Sequence, residues 1–190
     1  MNDVSSAYHQ SKEQIRLESE MVRAAKTDIS KFDVLYKKYF EQIFYFVLKR
    51  VETEDIADDI TSQVFLKAMS KLSNYKDMGL PFSSWLFRIA RNEIYDMYSK
   101  NKIEMVVSVE STGIWNIISE IGQENKEDYT GLYNALEKLE DDEMELIELR
   151  FFEKRAFKEI GEILEITENN AKVKTYRILD KLQKNLRNER

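Results

Sequence analysis

Apolar residues recur every three or four positions through most of this chain, and this spacing constrains the fold more than any other feature. One proline and five glycines in 190 residues are too few for the many turns of an all-β chain. We therefore predict an all-α fold. The clearest example of this apolar spacing is a wide helical face formed by Phe32, Leu35, Tyr36, Tyr39, Phe40, Ile43, Phe44 and Val47.

Two further helices are predicted after this one. Polar residues 52–55 provide a cap for a helix whose apolar positions run from Ile56 to Leu72 and include Met69. A loop follows, and Pro81 then suits the first turn of a third helix, because its missing N–H has no helical partner there anyway. This third helix should continue to about Lys100, with Trp85 as a core anchor. Residues 11–26 also have helical propensity, without an evident role.

Charge divides the second half of the chain. Residues 103–131 contain six acids, one lysine and three of the five glycines, so we predict an acidic linker with one short helix near Trp115. Residues 132–166 hold eleven acids and five bases, whereas residues 167–190 hold seven bases and three acids. The net charge of −6 therefore conceals a basic C-terminal end, which is typical of a local DNA-binding surface.

Residues 156–182 have the outline of a helix-turn-helix. A short amphipathic helix ends near Leu164, and Thr167 suits the N-cap of a longer second helix. One face of that helix is expected to pack inward through Ala171, Thr175, Ile178 and Leu182. The other face is cationic and partly aromatic, as contact with phosphates and base edges requires; we expect DNA contacts from Asn170, Lys172, Val173, Lys174, Tyr176 and Arg177. A merely solvated basic face is the simpler alternative.

The third helix and the loop before it offer a second set of polar groups. Residues 74–79 are predicted to form a flexible loop that supplies backbone amides, an amide side chain and an aromatic ring, which are components for holding an unstacked base. The helix itself has an apolar side expected to be buried at Leu86, Ala90, Ile94 and Met97. Its opposite side is a polar stripe formed by Arg88, Asn92, Tyr95 and Ser99.

The order of these motifs resembles bacterial RNA polymerase sigma factors of the extracytoplasmic-function, sigma-70-like group. The matching segments are residues 32–36 with Tyr39, 57–68, 85–86 with 89–92 and Asp96, 135–139, 159–161 and 167–182. The resemblance implies two small helical domains joined by the acidic linker. Their expected bounds are an N-terminal extension at 1–21, a region 2-like domain at 22–102, the linker at 103–131 and a region 4-like helix-turn-helix domain at 132–190.

This resemblance implies a transcription initiation factor with no enzymatic activity and no cofactor. It would bind core RNA polymerase, direct it to promoter DNA, help to melt the −10 element and be held inactive by an anti-sigma factor. The helix-turn-helix would read the −35 element, and Asn92 would contact a flipped base of the −10 element. Contacts to the −10 element are expected from Tyr75, Lys76, Asp77, Arg88, Arg91, Asn92 and Tyr95. Polymerase contacts are expected from Asp58, Asp59, Ser62, Gln63 and Phe65.

Two other classes of function compete with this interpretation. A stand-alone helix-turn-helix regulator would share the C-terminal motif but would leave the segment around Trp85 without a purpose. A hydrolase with a metal on Asp55, Asp58 and Asp59 would lack the usual histidine ligands, because His9 is the single histidine and cysteine is absent. We therefore expect no metal site.

The cellular location is also predicted from the sequence. The longest unbroken apolar run, residues 43–48, is far shorter than the roughly 20 residues that cross a bilayer. The first 14 residues lack the apolar core of a secretory signal. We expect a cytoplasmic protein that does not insert into a membrane.

Overall fold

The structure is a computed structural model that describes residues 11–101, 111–121 and 129–188. Within these ranges it contains nine α-helices and no strand, which confirms the all-α prediction. The chain forms two compact units, one built mainly on the first four helices and the other on the last five. The helices are α1 (Lys12–Thr27), α2 (Phe32–Leu48), α3 (Glu54–Lys71), α4 (Phe82–Asn101), α5 (Ser111–Ile121), α6 (Tyr129–Leu136), α7 (Asp141–Ile147), α8 (Phe157–Leu164) and α9 (Glu168–Asn188).

Local polar residues define where two helices of the N-terminal unit, α1 and α3, begin. Ser11 and Gln14 form a reciprocal capping box at the start of α1, in which each side chain accepts a hydrogen bond from the other residue's backbone N–H. Thr53 caps α3, since its hydroxyl accepts a hydrogen bond from the N–H of Ile56 at 3.3 Å. The cap predicted within residues 52–55 is therefore confirmed.

The core of the N-terminal unit is aromatic. The ring of Phe82, in the first turn of α4, lies against those of Phe32, Tyr39 and Trp85, with centroid separations between 5.4 and 6.5 Å. Trp85 is buried, which confirms its predicted role as a core anchor. Edge-to-face and tilted contacts of this kind add about 0.5–1.5 kcal/mol per pair beyond the burial of the rings. Phe82 therefore links α2 to the start of α4.

The structure differs from the sequence prediction at the N-terminal extension. The boundary expected between residues 21 and 22 falls inside α1, which is one continuous helix. Val22 and Ala25 of α1 are buried, and so is the charged residue Glu18. Residues 12–21 thus form part of the N-terminal unit. The apolar pattern does not indicate this, because one of the positions that face the core carries a carboxylate.

The helix-turn-helix is present where the sequence predicts it, as α8 and α9. Thr167 caps α9, with its hydroxyl accepting a hydrogen bond from the N–H of Asn170 at 3.1 Å. The connection is tight: Glu165 adopts a left-handed conformation at the end of α8, and the N–H of Ile166 donates to the carbonyl of Gly161. A Cβ atom at Gly161 would lie 2.8 Å from the carbonyl oxygen of Ile166, so this turn requires glycine.

Part of the predicted linker is instead folded onto the C-terminal unit. Helix α5 buries three isoleucines, and the side-chain amide of Asn116 donates to the carbonyl of Phe151 at 2.9 Å. At its other end, the amide of Gln183 in α9 donates to the carbonyl of Ile121 at 3.3 Å. The short helix expected near Trp115 is confirmed, but residues 111–121 do not form a tether. The rest of the predicted linker before residue 129 lies outside the described residues.

Gly113 provides a test of this packing. A Cβ atom at this position would lie 2.4 Å from carbons of the Phe152 ring. We expect Gly113→Ala to force the ring aside and to lower the free energy of unfolding of the C-terminal unit by about 1–3 kcal/mol. Denaturant unfolding followed by circular dichroism measures this change, with the exposed Ser119→Ala on the same helix as control. Equal stability of the two variants would show that α5 is not docked.

Candidate promoter and polymerase surfaces

Helix α9 has two chemically distinct sides. The four residues predicted to face inward, Ala171, Thr175, Ile178 and Leu182, are all buried. The Thr175 hydroxyl is satisfied within the helix, since it donates to the carbonyl of Ala171 at 2.8 Å. The predicted DNA-contacting residues are all exposed and define the α9 outer face: Asn170, Lys172, Val173, Lys174, Tyr176 and Arg177.

Acidic residues of α7 neutralise some of the cations of α9 but not two of those on its outer face. Lys174 Nζ lies 3.7 Å from a carboxylate oxygen of Asp142, and Lys181 Nζ lies 2.5 Å from one of Glu143. Neither Lys172 nor Arg177 forms an ion pair with another described side chain. These two cations are therefore available to an external anion, whereas contact through Lys174 competes with Asp142.

The aromatic residue of the α9 outer face is held in place by α8. The ring of Tyr176 lies 6.3 Å from that of Phe157, and the guanidinium of Arg150 lies over Phe157 at 4.5 Å.

The segment that leads into α8 is fixed by Arg155, whose guanidinium pairs with Glu159 at 3.2 Å in a buried position. Sequence reasoning did not identify this pair, because charged residues are seldom buried.

The loop before α4 is more ordered than the sequence suggests. The ring of Tyr75 packs against Phe82 and Trp85, with centroid separations of 5.2 and 4.9 Å. This burial raises the pKa of the Tyr75 phenol well above its usual range, and the negative charges of Asp77 and Glu18 raise it further. Tyr75 is thus a half-buried anchor of the loop.

Asp77 also has a structural role within the loop. Its carboxylate accepts a hydrogen bond from the N–H of Gly79 at 2.8 Å, and Gly79 has a φ of +65°, which glycine adopts without strain. Hydrogen bonding from the Ser19 hydroxyl and the Gly79 N–H lowers the pKa of Asp77, and the positive charge of Arg23 lowers it further. The flexible loop expected from the sequence is thus tied down at Tyr75 and Asp77, while Lys76 remains exposed.

The polar stripe of α4 is largely as predicted. Asn92 and Ser99 are exposed, whereas Arg88, Arg91 and Tyr95 are partly buried. The guanidinium of Arg91 lies 4.7 Å from the centre of the Tyr95 ring, so these two side chains support each other. The side predicted to be buried is confirmed at Leu86, Ala90 and Ile94; Met97 is half-buried.

One of the predicted polymerase contacts on α3 is wrong. Phe65 is only 2% exposed, and its ring packs against those of Phe32, Tyr36 and Phe40. It is therefore a core residue that cannot contact a partner directly. The four polar residues of the set, Asp58, Asp59, Ser62 and Gln63, are all exposed and define the α3 polar face.

Two exposed apolar residues continue the α3 polar face, and sequence reasoning missed them. Leu66 is 59% exposed and Met69 is 37% exposed. Asp59, Ser62, Leu66 and Met69 follow one another at spacings of three, four and three residues, which places the four side chains along one side of the helix. The apolar spacing alone assigns Met69 to the opposite, core-facing side. A helical projection from Asp59 would have found both residues.

Two further properties concern metal ions and membranes. In the ranges that the structure describes, no three histidine or acidic side chains lie together in a way that could hold a metal ion. Among the helices of the same ranges, none combines the length and the apolar character needed to cross a membrane.

The fold combines a helix-turn-helix unit with a second helical unit. The sequence matches the family description of sigma-70 region 2 over residues 35–103 and that of sigma-70 region 4 over residues 135–184. The RNA polymerase sigma factor SigV of Bacillus subtilis is 30% identical over 143 residues, which are 73% of this chain and 81% of SigV. The chain belongs to the sigma-70 family of RNA polymerase sigma factors, in its extracytoplasmic-function (ECF) group.

Other relatives are similar to this chain over most of its length. The ECF sigma factor SigM of Bacillus subtilis is 26% identical, with 80% of this chain and 92% of SigM covered. The ECF sigma factor BldN of Streptomyces coelicolor is 25% identical over 82% of this chain, and the match spans 60% of BldN.

Two solved structures share the fold. CnrH, determined with the cytosolic domain of CnrY, has a TM-score of 0.58 and 18% identity, with 91% of this chain and 99% of CnrH covered. RpoE of Bartonella quintana, determined with the anti-sigma factor NepR, has a TM-score of 0.56 and 21% identity, with 84% of this chain and 98% of RpoE covered.

Proposed function

We propose that this sigma factor reads the −35 element with the α9 outer face and captures a base of the −10 element with the 74–79 loop and Asn92. Core RNA polymerase docks on the α3 polar face. The observation that carries the proposal is the division of α9 into a buried side and an exposed polar side. Such a helix presents one rigid polar surface to the major groove.

The −35 assignment depends on the chemistry of the α9 outer face. Lys172 and Arg177 supply charge for phosphates, while the amide of Asn170 and the ring of Tyr176 lie among them on the same surface. Lys174 contributes less, because Asp142 already neutralises part of its charge. The tight turn at Gly161 and the Thr167 cap hold α9 at a fixed angle to α8, as a recognition helix requires.

The −10 assignment depends on an exposed amide next to a supported loop. Asn92 is exposed on α4, and Arg91 stands beside it over the Tyr95 ring. The loop contributes the exposed Lys76 and backbone amides, with Tyr75 and Asp77 mainly maintaining its shape. Capture of an extruded base offsets an unstacking cost of a few kcal/mol, so these groups favour the melted promoter.

The polymerase assignment is supported by the mixed character of the α3 polar face. Its carboxylates suit a basic partner, and Leu66 and Met69 extend it with apolar surface that a specific interface would bury. This favours a polymerase-dependent factor over the stand-alone helix-turn-helix regulator, which has no use for such a surface on the N-terminal unit. Because core polymerase works on chromosomal DNA, the proposed site of action is the cytoplasm.

An anti-sigma factor is a further proposed partner. The related structures of CnrH and RpoE were determined with partner proteins, and the partner of RpoE is an anti-sigma factor. A protein that covers the α3 polar face or the α9 outer face would prevent promoter use. No catalytic activity is proposed for the chain itself.

The −35 assignment predicts the effect of removing one cation. We expect Lys172→Ala or Arg177→Ala to weaken promoter binding by the holoenzyme and to reduce the slope of log K against log salt by about 0.9 for each phosphate that is no longer neutralised. Binding to duplex promoter over a range of salt concentrations measures both effects. Lys138→Ala removes one exposed charge outside α9 and serves as control. If both variants bind promoter DNA as wild type does, the α9 outer face does not read the −35 element.

The −10 assignment predicts a defect confined to strand opening. We expect Asn92→Ala to retain polymerase binding but to reduce transcription from duplex promoters by about tenfold, since a hydrogen-bonded base is worth about 1–3 kcal/mol. A template with a pre-melted −10 bubble should partly restore transcription. The exposed amide variant Gln42→Ala on α2 is the control. Equal reductions on duplex and bubble templates would place the defect of Asn92→Ala elsewhere.

A further inference from the structure

A buried carboxylate joins three helices of the N-terminal unit. Glu18 of α1 is 2% exposed. One of its oxygens accepts hydrogen bonds from the Lys38 ammonium, at 2.6 Å, and from the Tyr39 hydroxyl, both on α2. The other oxygen accepts a hydrogen bond from the backbone N–H of Phe82 at 2.5 Å. The charge is therefore neutralised by Lys38, and its two oxygens connect α1 with α2 and α4.

The bond to Phe82 caps helix α4 from a distant part of the chain. The first N–H groups of a helix have no partner within it, and the N-terminal end of the helix dipole attracts negative charge. Phe82 is the first residue of α4, so the Glu18 carboxylate occupies the place that a local capping residue takes in other helices. α1 thereby fixes the first turn of the helix that carries Asn92.

Helix α1 also holds the 74–79 loop. Lys26 Nζ donates to the carbonyl of Tyr75 at 2.5 Å and to that of Ser73 at 3.5 Å. The end of the loop that carries Tyr75 is therefore attached to α1 through Lys26.

We propose that α1 is a positioning element for capture of the −10 base, in which Glu18 fixes the start of α4 and Lys26 fixes the 74–79 loop before DNA arrives. This inference depends on the proposed −10 role of the loop and Asn92. A loop that is ordered in advance loses little conformational freedom on binding, so single-stranded DNA binds more tightly to it. Lys26 is a positioning residue, because it acts through the Tyr75 carbonyl.

The principal competing role for Lys26 is direct contact with a phosphate, and the two roles respond differently to salt. Removal of one phosphate contact lowers the salt slope for a single strand by about 0.7. Removal of a positioning contact weakens binding equally at every salt concentration and leaves the slope unchanged. The salt slope therefore separates these two explanations.

The test compares Lys26→Met with Arg16→Met in holoenzyme assembled with core polymerase. Arg16 lies on the same helix, where it forms exposed ion pairs with Glu13 and Glu20, so both variants remove one positive charge from α1. The probe is a fluorescent single-stranded DNA that carries the non-template −10 sequence of a promoter mapped by transcription. Amide hydrogen exchange of residues 74–79 is measured in the free protein, and a thermal melt confirms that each variant is folded.

For Lys26→Met we expect exchange in the loop to rise about fivefold, as removal of a hydrogen bond worth about 1 kcal/mol implies. We expect the probe to bind about 3- to 10-fold more weakly, because one or two groups must then be ordered when it binds. The salt slope should not change. Arg16→Met should match wild type in both measurements. Glu18→Gln should give the same direction of change, with faster exchange in the first turn of α4.

The proposal is overturned if Lys26→Met leaves loop exchange or probe affinity unchanged, or if its salt slope falls by about 0.7. Asn92→Ala separates this failure from failure of the −10 assignment. If Asn92→Ala weakens probe binding and Lys26→Met does not, α1 has no positioning role and the −10 assignment stands. If neither variant weakens probe binding, the −10 assignment itself is wrong.

Discussion

The N-terminal unit depends on the burial of one negative charge. A carboxylate in a helical core is costly unless it is paired and fully hydrogen-bonded, and Glu18 meets both conditions through Lys38, Tyr39 and the N–H of Phe82. Because these donors lie on two other helices, the pairing also fixes where α1, α2 and α4 meet. The aromatic contacts of Phe82 and the anchored ring of Tyr75 lie next to this point.

The C-terminal unit solves a different problem, which is how to present cations on a chain with a net charge of −6. Acids of α7 pair with Lys174 and Lys181 of α9, while Lys172 and Arg177 on its outer face form no ion pair with another described side chain. Electrostatic attraction to DNA is thereby concentrated on one narrow surface. The docking of α5 against α9 and Phe151 extends this unit beyond the helix-turn-helix itself.

Periodicity predicted most of the helices and the inward side of α9, because amphipathic spacing reports directly on which side of a helix is buried. It failed where burial and polarity disagree. Glu18 concealed the membership of α1 in the core, and the predicted polymerase surface included the buried Phe65 but left out the exposed Leu66. Composition suggested a tether that includes residues 111–121, because acids and glycines flank this segment. The segment is instead a helix whose isoleucines are buried in the C-terminal unit. Contacts between distant residues, such as Lys26 with Tyr75, have no signal in a single sequence.

Transcription with purified components tests the central claim most directly. Core RNA polymerase is mixed with this chain on genomic DNA fragments, and run-off transcripts are mapped to their start sites. We expect specific start sites that core polymerase alone does not use, together with stable association of the chain and core polymerase. Specific binding of promoter duplex by the chain alone, with no new start sites when core polymerase is added, would contradict it.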